Sequence, residues 1–168
     1  MIRRYGERDI ADMTRLLRRP GIWDAIKDDG CDRKDMGLHL YNIATTPQVW
    51  AIGRMPRHEI FLFLPMNMIH CQIHVTMSPD VKDKVQAARA AVGWMFDNSP
   101  FKAISAFIPE DAMRVRHFAA MCGMQVAGKI EGSFRKDGNT VGQVIYHCTE
   151  QLYRDFMEAS CRKQQQGQ

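Results

Sequence analysis

Residues 68–98 change period once, and that change constrains the fold more than any other stretch. In "MIHCQIHVTM", Ile69, Cys71, Ile73, Val75 and Met77 alternate with His70, Gln72, His74 and Thr76. A strict two-residue alternation is a strand with one apolar and one polar face. From Ser78 the apolar residues recur at helical spacing: Val81, Val85, Ala88, Val92, Met95 and Phe96. That stripe predicts a helix of about five turns. The junction "PDVKDKVQAAR" has lysines where an anion would sit and no glycine. It reads as a phosphate cradle, a worn one, or the amphipathic start of a helix.

The remaining elements follow from the same two periods. "MIRRY" is a short strand, and Asp9 is placed to cap the next helix, whose inner face is Ile10, Met13, Leu16 and Leu17. Pro20-Gly21 should stop that helix. "IWDAIKDDG" is a second helix with Trp23 and Ile26 inward, and "DRKDMGLHLYNI" a third. "PQVWAIGR", "EIFLFLP" and "MIHCQIHVTM" are strands with short connections, which implies an antiparallel meander. After the long helix come the strand "FKAISAFIP" and the helix "EDAMRVRHFAAMCG", with Val115, Phe118, Ala119 and Cys122 inward. Two more strands, "MQVAGKIEG" and "TVGQVIYHC", flank an Asp137-Gly138 turn, and "EQLYRDFMEASCRK" is a last helix. The expected architecture is α/β: one mixed, mostly antiparallel sheet flanked by helices. We expect a single domain over residues 1–162 and a disordered tail over 163–168.

Composition limits the partners. The 168 residues are 45% hydrophobic and 25% charged, ordinary for one globular domain. No apolar run approaches the length of a membrane span, and the charged start "MIRRYGERDIADM" lacks a signal-peptide core. The five cysteines are odd in number and have no C-x-x-C spacing, which suits free thiols in a reducing cytoplasm. The +4 charge is mild; its densest group, Arg3, Arg4, Arg8, Arg15, Arg18 and Arg19, suits a solvated helical face and has no aromatic-plus-basic motif with it. That pattern argues against nucleic acid as the partner.

Four stretches in this order resemble the GNAT superfamily of acyl-CoA N-acetyltransferases. "IRRYGERDIADMTRLL" is similar to its first strand and helix, and "IHVTMSPDVKDKVQAARAAVGWMFDN" to its fourth strand, pyrophosphate turn and third helix. "FIPEDAMRVRHFAAMCGMQVAGKIEG" resembles its late strand and fourth helix, and "EGSFRKDGNTVGQVIYHC" its final hairpin. His74 to Pro79 also resembles a pattern in phage-encoded GNAT-like proteins, which would place the protein in a host cytoplasm. The resemblance implies acetyl-CoA as cofactor, its pantetheine arm between two splayed strands and its pyrophosphate at a helix N-terminus. It implies an amine of a small molecule or protein N-terminus as acceptor. It implies a cofactor-binding set of Val75, Met77, Lys82, Lys84, Val85, Gln86, Ala87 and Asp111.

The sequence departs from the family pattern in several places. Lys82 takes the basic position and Ala87 the last small one, but Val85 stands where the family has glycine. A β-carbon there crowds a phosphate. Asp111 replaces an asparagine, and its charge opposes a phosphate although it suits a helix cap. Ala119 stands in place of the general-acid tyrosine, and Met124 in place of a phenylalanine. His74 is the candidate base, with His70 behind it, and Tyr146 is the candidate acid. His117 should face solvent, and Glu59 and Glu131 are possible substrate carboxylates at strand ends. No P-loop, Ser-His-Asp set or metal-spaced cluster is evident. Three readings stay open: an N-acetyltransferase, a degenerate GNAT-fold binding or structural protein such as a phage component, and a basic nucleic-acid-associated protein.

Overall fold

The computed structural model describes residues 1–26, 29, 36–54 and 59–166. Its seven strands are β1 (Ile2–Arg4), β2 (Trp50–Arg54), β3 (Glu59–Pro65), β4 (His70–Met77), β5 (Ala103–Pro109), β6 (Gln125–Lys136) and β7 (Asn139–Thr149). They form one sheet in the order β1-β2-β3-β4-β5-β7-β6. β2, β3 and β4 are the expected antiparallel meander. β4 and β5 are parallel. Parallel neighbours need a long crossover, and helix α4 (Lys84–Asn98) supplies it.

The remaining helices are α1 (Ile10–Leu17), α2 (Pro20–Ile26), α3 (Met36–Thr45), α5 (Met113–Met121) and α6 (Glu150–Gln166). They cover the sheet on two sides. Phe61, Phe63, Cys71, Ile73, Ile104 and Tyr146 pack with α4, α5 and α6. Three alanines on α4, Ala87, Ala88 and Ala91, are buried there and let the helix approach the sheet closely. Phe61 and Phe63 are fully buried, each contributing about 2–3 kcal/mol of hydrophobic stabilisation. On the other face Met13, Leu16, Ile22 and Leu40 from α1, α2 and α3 cover Ala51 and Ile60.

Several local expectations change. Pro20 does not merely stop α1; it opens α2, where its fixed φ and missing N–H are harmless. In α2 the buried residue is Ile22, Trp23 is half-buried, and the side chain of Ile26 lies outside the described residues. Val81 is buried but precedes α4, which starts six residues later than Ser78. Ser78 is fully buried and ends β4 in a turn. Val75 is 37% exposed and Val115 51%, so neither is the core residue its period suggested. α6 continues through Gln166, and 167–168 lie outside the described residues. Asp137 and Gly138 both have positive φ, 51° and 78°, the geometry of a two-residue hairpin turn. Cys71, Cys122 and Cys148 are buried free thiols, Cys161 is exposed, and Cys31 lies outside the described residues.

Candidate functional site

The parallel pair β4–β5 is short. His70 pairs with Ala103, Cys71 with Ile104 and Gln72 with Ser105, and there the pairing ends. β4 runs on with β3 as far as Met77, and β5 runs on with β7 as far as Pro109. The two strands therefore fork after Gln72 and Ser105. The exposure of Val75 follows from the fork, because its neighbour on the β5 side has moved away.

Register assigns the faces, since residues opposite each other in a ladder share one. His74 lies opposite Leu62, on the side of α1, α2 and α3. Solvent reaches His74, yet the protein around it lowers its pKa by desolvation. Ser105 lies opposite His147 and beside Gln72 on this same face. His70 Nε2 is 2.8 Å from the Ser105 hydroxyl, and His147 Nδ1 is 3.3 Å from it. The His70 and His147 rings meet edge to face, 5.7 Å apart. Burial, and then the charge of His147, lower the pKa of His70.

Tyr146 is on the opposite face. It sits beside Ala106 of β5 and Val126 of β6, with the ring buried in the α4-side core. Its hydroxyl has no hydrogen-bond partner among the described residues. Nor is it sealed in: Arg116 Nε is the one fully buried side-chain nitrogen or oxygen among them that lacks a partner.

The turn after β4 is built around Ser78. The Ser78 hydroxyl donates to Asp80 Oδ2 at 2.6 Å, and Arg19 donates to Ser78 Oγ at 2.7 Å. Arg19, expected on a solvated face, thus ties the end of α1 to the turn. Asp83 is the N-cap of α4, its Oδ1 accepting from the Gln86 N–H at 2.8 Å. Lys84 and Val85, the first two residues of α4, have amides that no turn of helix precedes to satisfy. Lys82, Lys84 and Gln86 are exposed, Val85 is half-buried against the core, and Ala87 is fully buried. Glu59 is fully buried and accepts two hydrogen bonds from Arg54, at 2.6 and 2.8 Å. That pairing holds the Arg54 pKa above its ordinary value, and the nearby charge of Asp83 adds to it.

No family model and no curated protein matches the sequence. Solved structures do match in three dimensions. A spermidine N-acetyltransferase from Vibrio cholerae, solved with CoA and spermine, superposes with a TM-score of 0.71 at 11% identity, covering 91% of this chain and 96% of that one. A GNAT-family acetyltransferase from Bacillus anthracis gives 0.70 at 13% identity, over 89% and 94% of the two chains. A ribosomal-protein-S5-alanine acetyltransferase from Vibrio fischeri gives 0.69 at 10% identity, over 88% and 91%. This is the GNAT acetyltransferase fold.

The structure shows where each departure from the resembled pattern falls. Val85 lies in the first turn of a regular helix, and its φ is not positive. So the valine is not strained, and the backbone has no need of glycine. The Asp83 carboxylate occupies the helix start where an anion would otherwise be received. Asp111 does not cap α5 as expected: Ala112 holds that position, without a side-chain bond, and Asp111 is exposed. Ala119 is buried and offers no acid, and Met124 is core. Gly123 has φ 88°, and a β-carbon there would lie 2.7 Å from the Phe156 ring, so the helix stop requires glycine. Glu59 is committed to Arg54, Glu131 pairs with Lys129 at 2.8 Å, and His117 is exposed. Among the described residues no three His, Cys, Asp or Glu side chains gather to hold a metal, and no helix is long and apolar enough to cross a membrane.

Proposed function

We propose that the protein is an N-acetyltransferase that moves acetyl from acetyl-CoA to an amine of a small molecule or a protein N-terminus. The observation that carries this reading is the fork, which has a titratable side chain on each face. The opening beyond Gln72 and Ser105 suits a thin pantetheine arm, with Val75 and Met77 along its β4 side. Acetyl-CoA supplies the acetyl thioester there. His74, neutral at neutral pH because desolvation lowers its pKa, takes a proton from the incoming ammonium. Tyr146, with its unpaired hydroxyl, donates a proton to the departing thiolate from the other face. Lys82, Lys84 and the free amides of α4 face the phosphates.

A second reading is favoured by the turn: a GNAT-fold binding protein that has lost catalysis. The Asp83 carboxylate at the helix start works against a pyrophosphate, and Val85 and Asp111 do not help one. A thermal-shift titration with acetyl-CoA, followed by turnover against a panel of amines, separates the two. At about 100 times the dissociation constant, a ligand adds roughly 2.7 kcal/mol of stability. The enzyme reading requires that shift together with CoA release in the presence of an amine. A shift without CoA release supports the binding protein, and no shift removes acetyl-CoA from both.

A further inference from the structure

His70, Ser105 and His147 come from three different strands and meet at one oxygen. Ser105 is only 3% exposed, because the two half-buried rings roof it. A serine hydroxyl has one hydrogen and two lone pairs. With 2.8 Å on one side and 3.3 Å on the other, it can donate to one ring and accept from the other. The two rings then hold opposite roles at Ser105: one presents an N–H, the other a lone pair. Their outer nitrogens, His70 Nδ1 and His147 Nε2, have no hydrogen-bond partner among the described residues. The result is a chain with two open ends, its serine at the last paired position before the fork and His70 two residues back along β4.

We propose that His70, Ser105 and His147 are a proton relay, which takes a proton from the acceptor nitrogen at the fork and passes it through the serine hydroxyl to solvent. The inference rests on the acetyltransferase reading. Two protons leave the nitrogen, and the relay gives the second a route to solvent while Tyr146, which supplies the thiolate's proton, is re-protonated from water. An alkylammonium that becomes an amide loses two protons from nitrogen, and the departing thiolate takes up one, so one proton is released in net. His74 takes the first, before the nitrogen attacks. The relay takes the second, as the new bond to nitrogen forms. A proton arriving at the outer nitrogen of one ring sends that ring's inner proton to Ser105 Oγ. The hydroxyl's own proton passes to the inner nitrogen of the second ring, whose outer N–H is released. No bond other than N–H and O–H changes, and the chain is left with its polarity reversed until the rings exchange with water. The lowered pKa of His70 supports this, since a relay must rest neutral to accept a proton.

Ser105→Ala removes the hydroxyl at little change in volume, and Ser105→Thr keeps it. Nitrogen-15 NMR of the histidine rings in the free protein should show opposite protonation at His70 Nε2 and His147 Nδ1. Ser105→Ala should shift both signals, and Ser105→Thr should restore them. With an amine that the wild type acetylates, Ser105→Ala should lower turnover by roughly 10²-fold, the scale of general-base help, with acetyl-CoA affinity unchanged. Ser105→Thr should recover the rate. The proton inventory in mixed light and heavy water should be curved in the wild type and straight in Ser105→Ala. Ring signals indifferent to Ser105→Ala, or an active wild type whose rate survives it, overturn the relay alone. A wild type with no turnover on any amine overturns the acetyltransferase reading and the relay together.

Discussion

Asp83→Asn separates the two things the Asp83 carboxylate does. As a cap it accepts the Gln86 N–H at 2.8 Å, and asparagine caps a helix about as well as aspartate. The loss of its charge at the positive end of α4 costs about 0.3–1 kcal/mol, a fall in Tm of about 2–4 °C at most for a chain of this size. As a charge it repels a pyrophosphate received by the same helix. Two unit charges about 6 Å apart interact by roughly 0.7–1.4 kcal/mol at effective dielectric constants of about 40–80. Arg54, near enough for Asp83 to raise its pKa, offsets part of that repulsion. We therefore expect acetyl-CoA to bind Asp83→Asn about 3- to 10-fold more tightly than wild type, by titration calorimetry at low salt. The gain should fade near 1 M salt, where the screening length is about 3 Å. Unchanged or weaker binding in a folded Asp83→Asn protein would show that the pyrophosphate does not lie at the start of α4.

Val85→Gly should also tighten acetyl-CoA binding in calorimetry, at a cost of roughly 1–3 kcal/mol in denaturant melts from the lost core contact and the helix glycine; unchanged affinity argues against the turn. His74→Gln should fold and bind acetyl-CoA as the wild type does but turn over about 10²–10⁴-fold more slowly, the loss shrinking at high pH where the amine is already deprotonated. Tyr146→Phe removes a hydroxyl with no partner among the described residues, so stability should change by no more than about 0.5 kcal/mol, while single-turnover acetyl transfer slows; an unaltered rate removes Tyr146 as the acid. The pKa values of His70 and His74 are lowered on folding, so the unfolded chain takes up their protons first. Stability should be full above about pH 6.5 and fall as the pH drops below it, and urea melts of His74→Gln should show a shallower fall.

The period-two strand and the helix behind it were legible because one face of each is buried, and burial writes itself into apolar spacing. Phe61, Phe63, Ile73, Ala88, Val92 and Met95 obey that rule and are core. Val75 and Val115 obey the spacing and are exposed, because spacing reports which face a residue is on and not whether that face is covered. His74 could be found from its own strand alone. Ser105 and His147 could not: each is one polar residue among apolar neighbours, and they meet through an antiparallel pairing made across the chain, with a parallel one bringing His70 to them. The Asp83 cap was hidden for a different reason. Its side chain competes with the turn for the same amides, and the helical stripe beginning at Val81 masked where the helix starts.

The fork and the turn differ in what stability alone can explain. A capped helix start needs no ligand: Asp83 satisfies the Gln86 N–H, and Ser78, Asp80 and Arg19 bond one another beside it. The fork satisfies nothing. Beyond Gln72 and Ser105 the facing edges of β4 and β5 give up the ladder that holds the rest of the sheet together. An unsatisfied buried backbone group costs about 1–3 kcal/mol, so those edges must stay wet or be met by a ligand with its own amides. Pantetheine has two amides on a thin chain, which is what such an edge can bind. The exposed Val75 has the same cause, a sheet that opens beyond Gln72 and Ser105. A ladder continued between β4 and β5 would have satisfied those edges by itself, so the open fork, more than the turn, is the feature that folding alone does not account for.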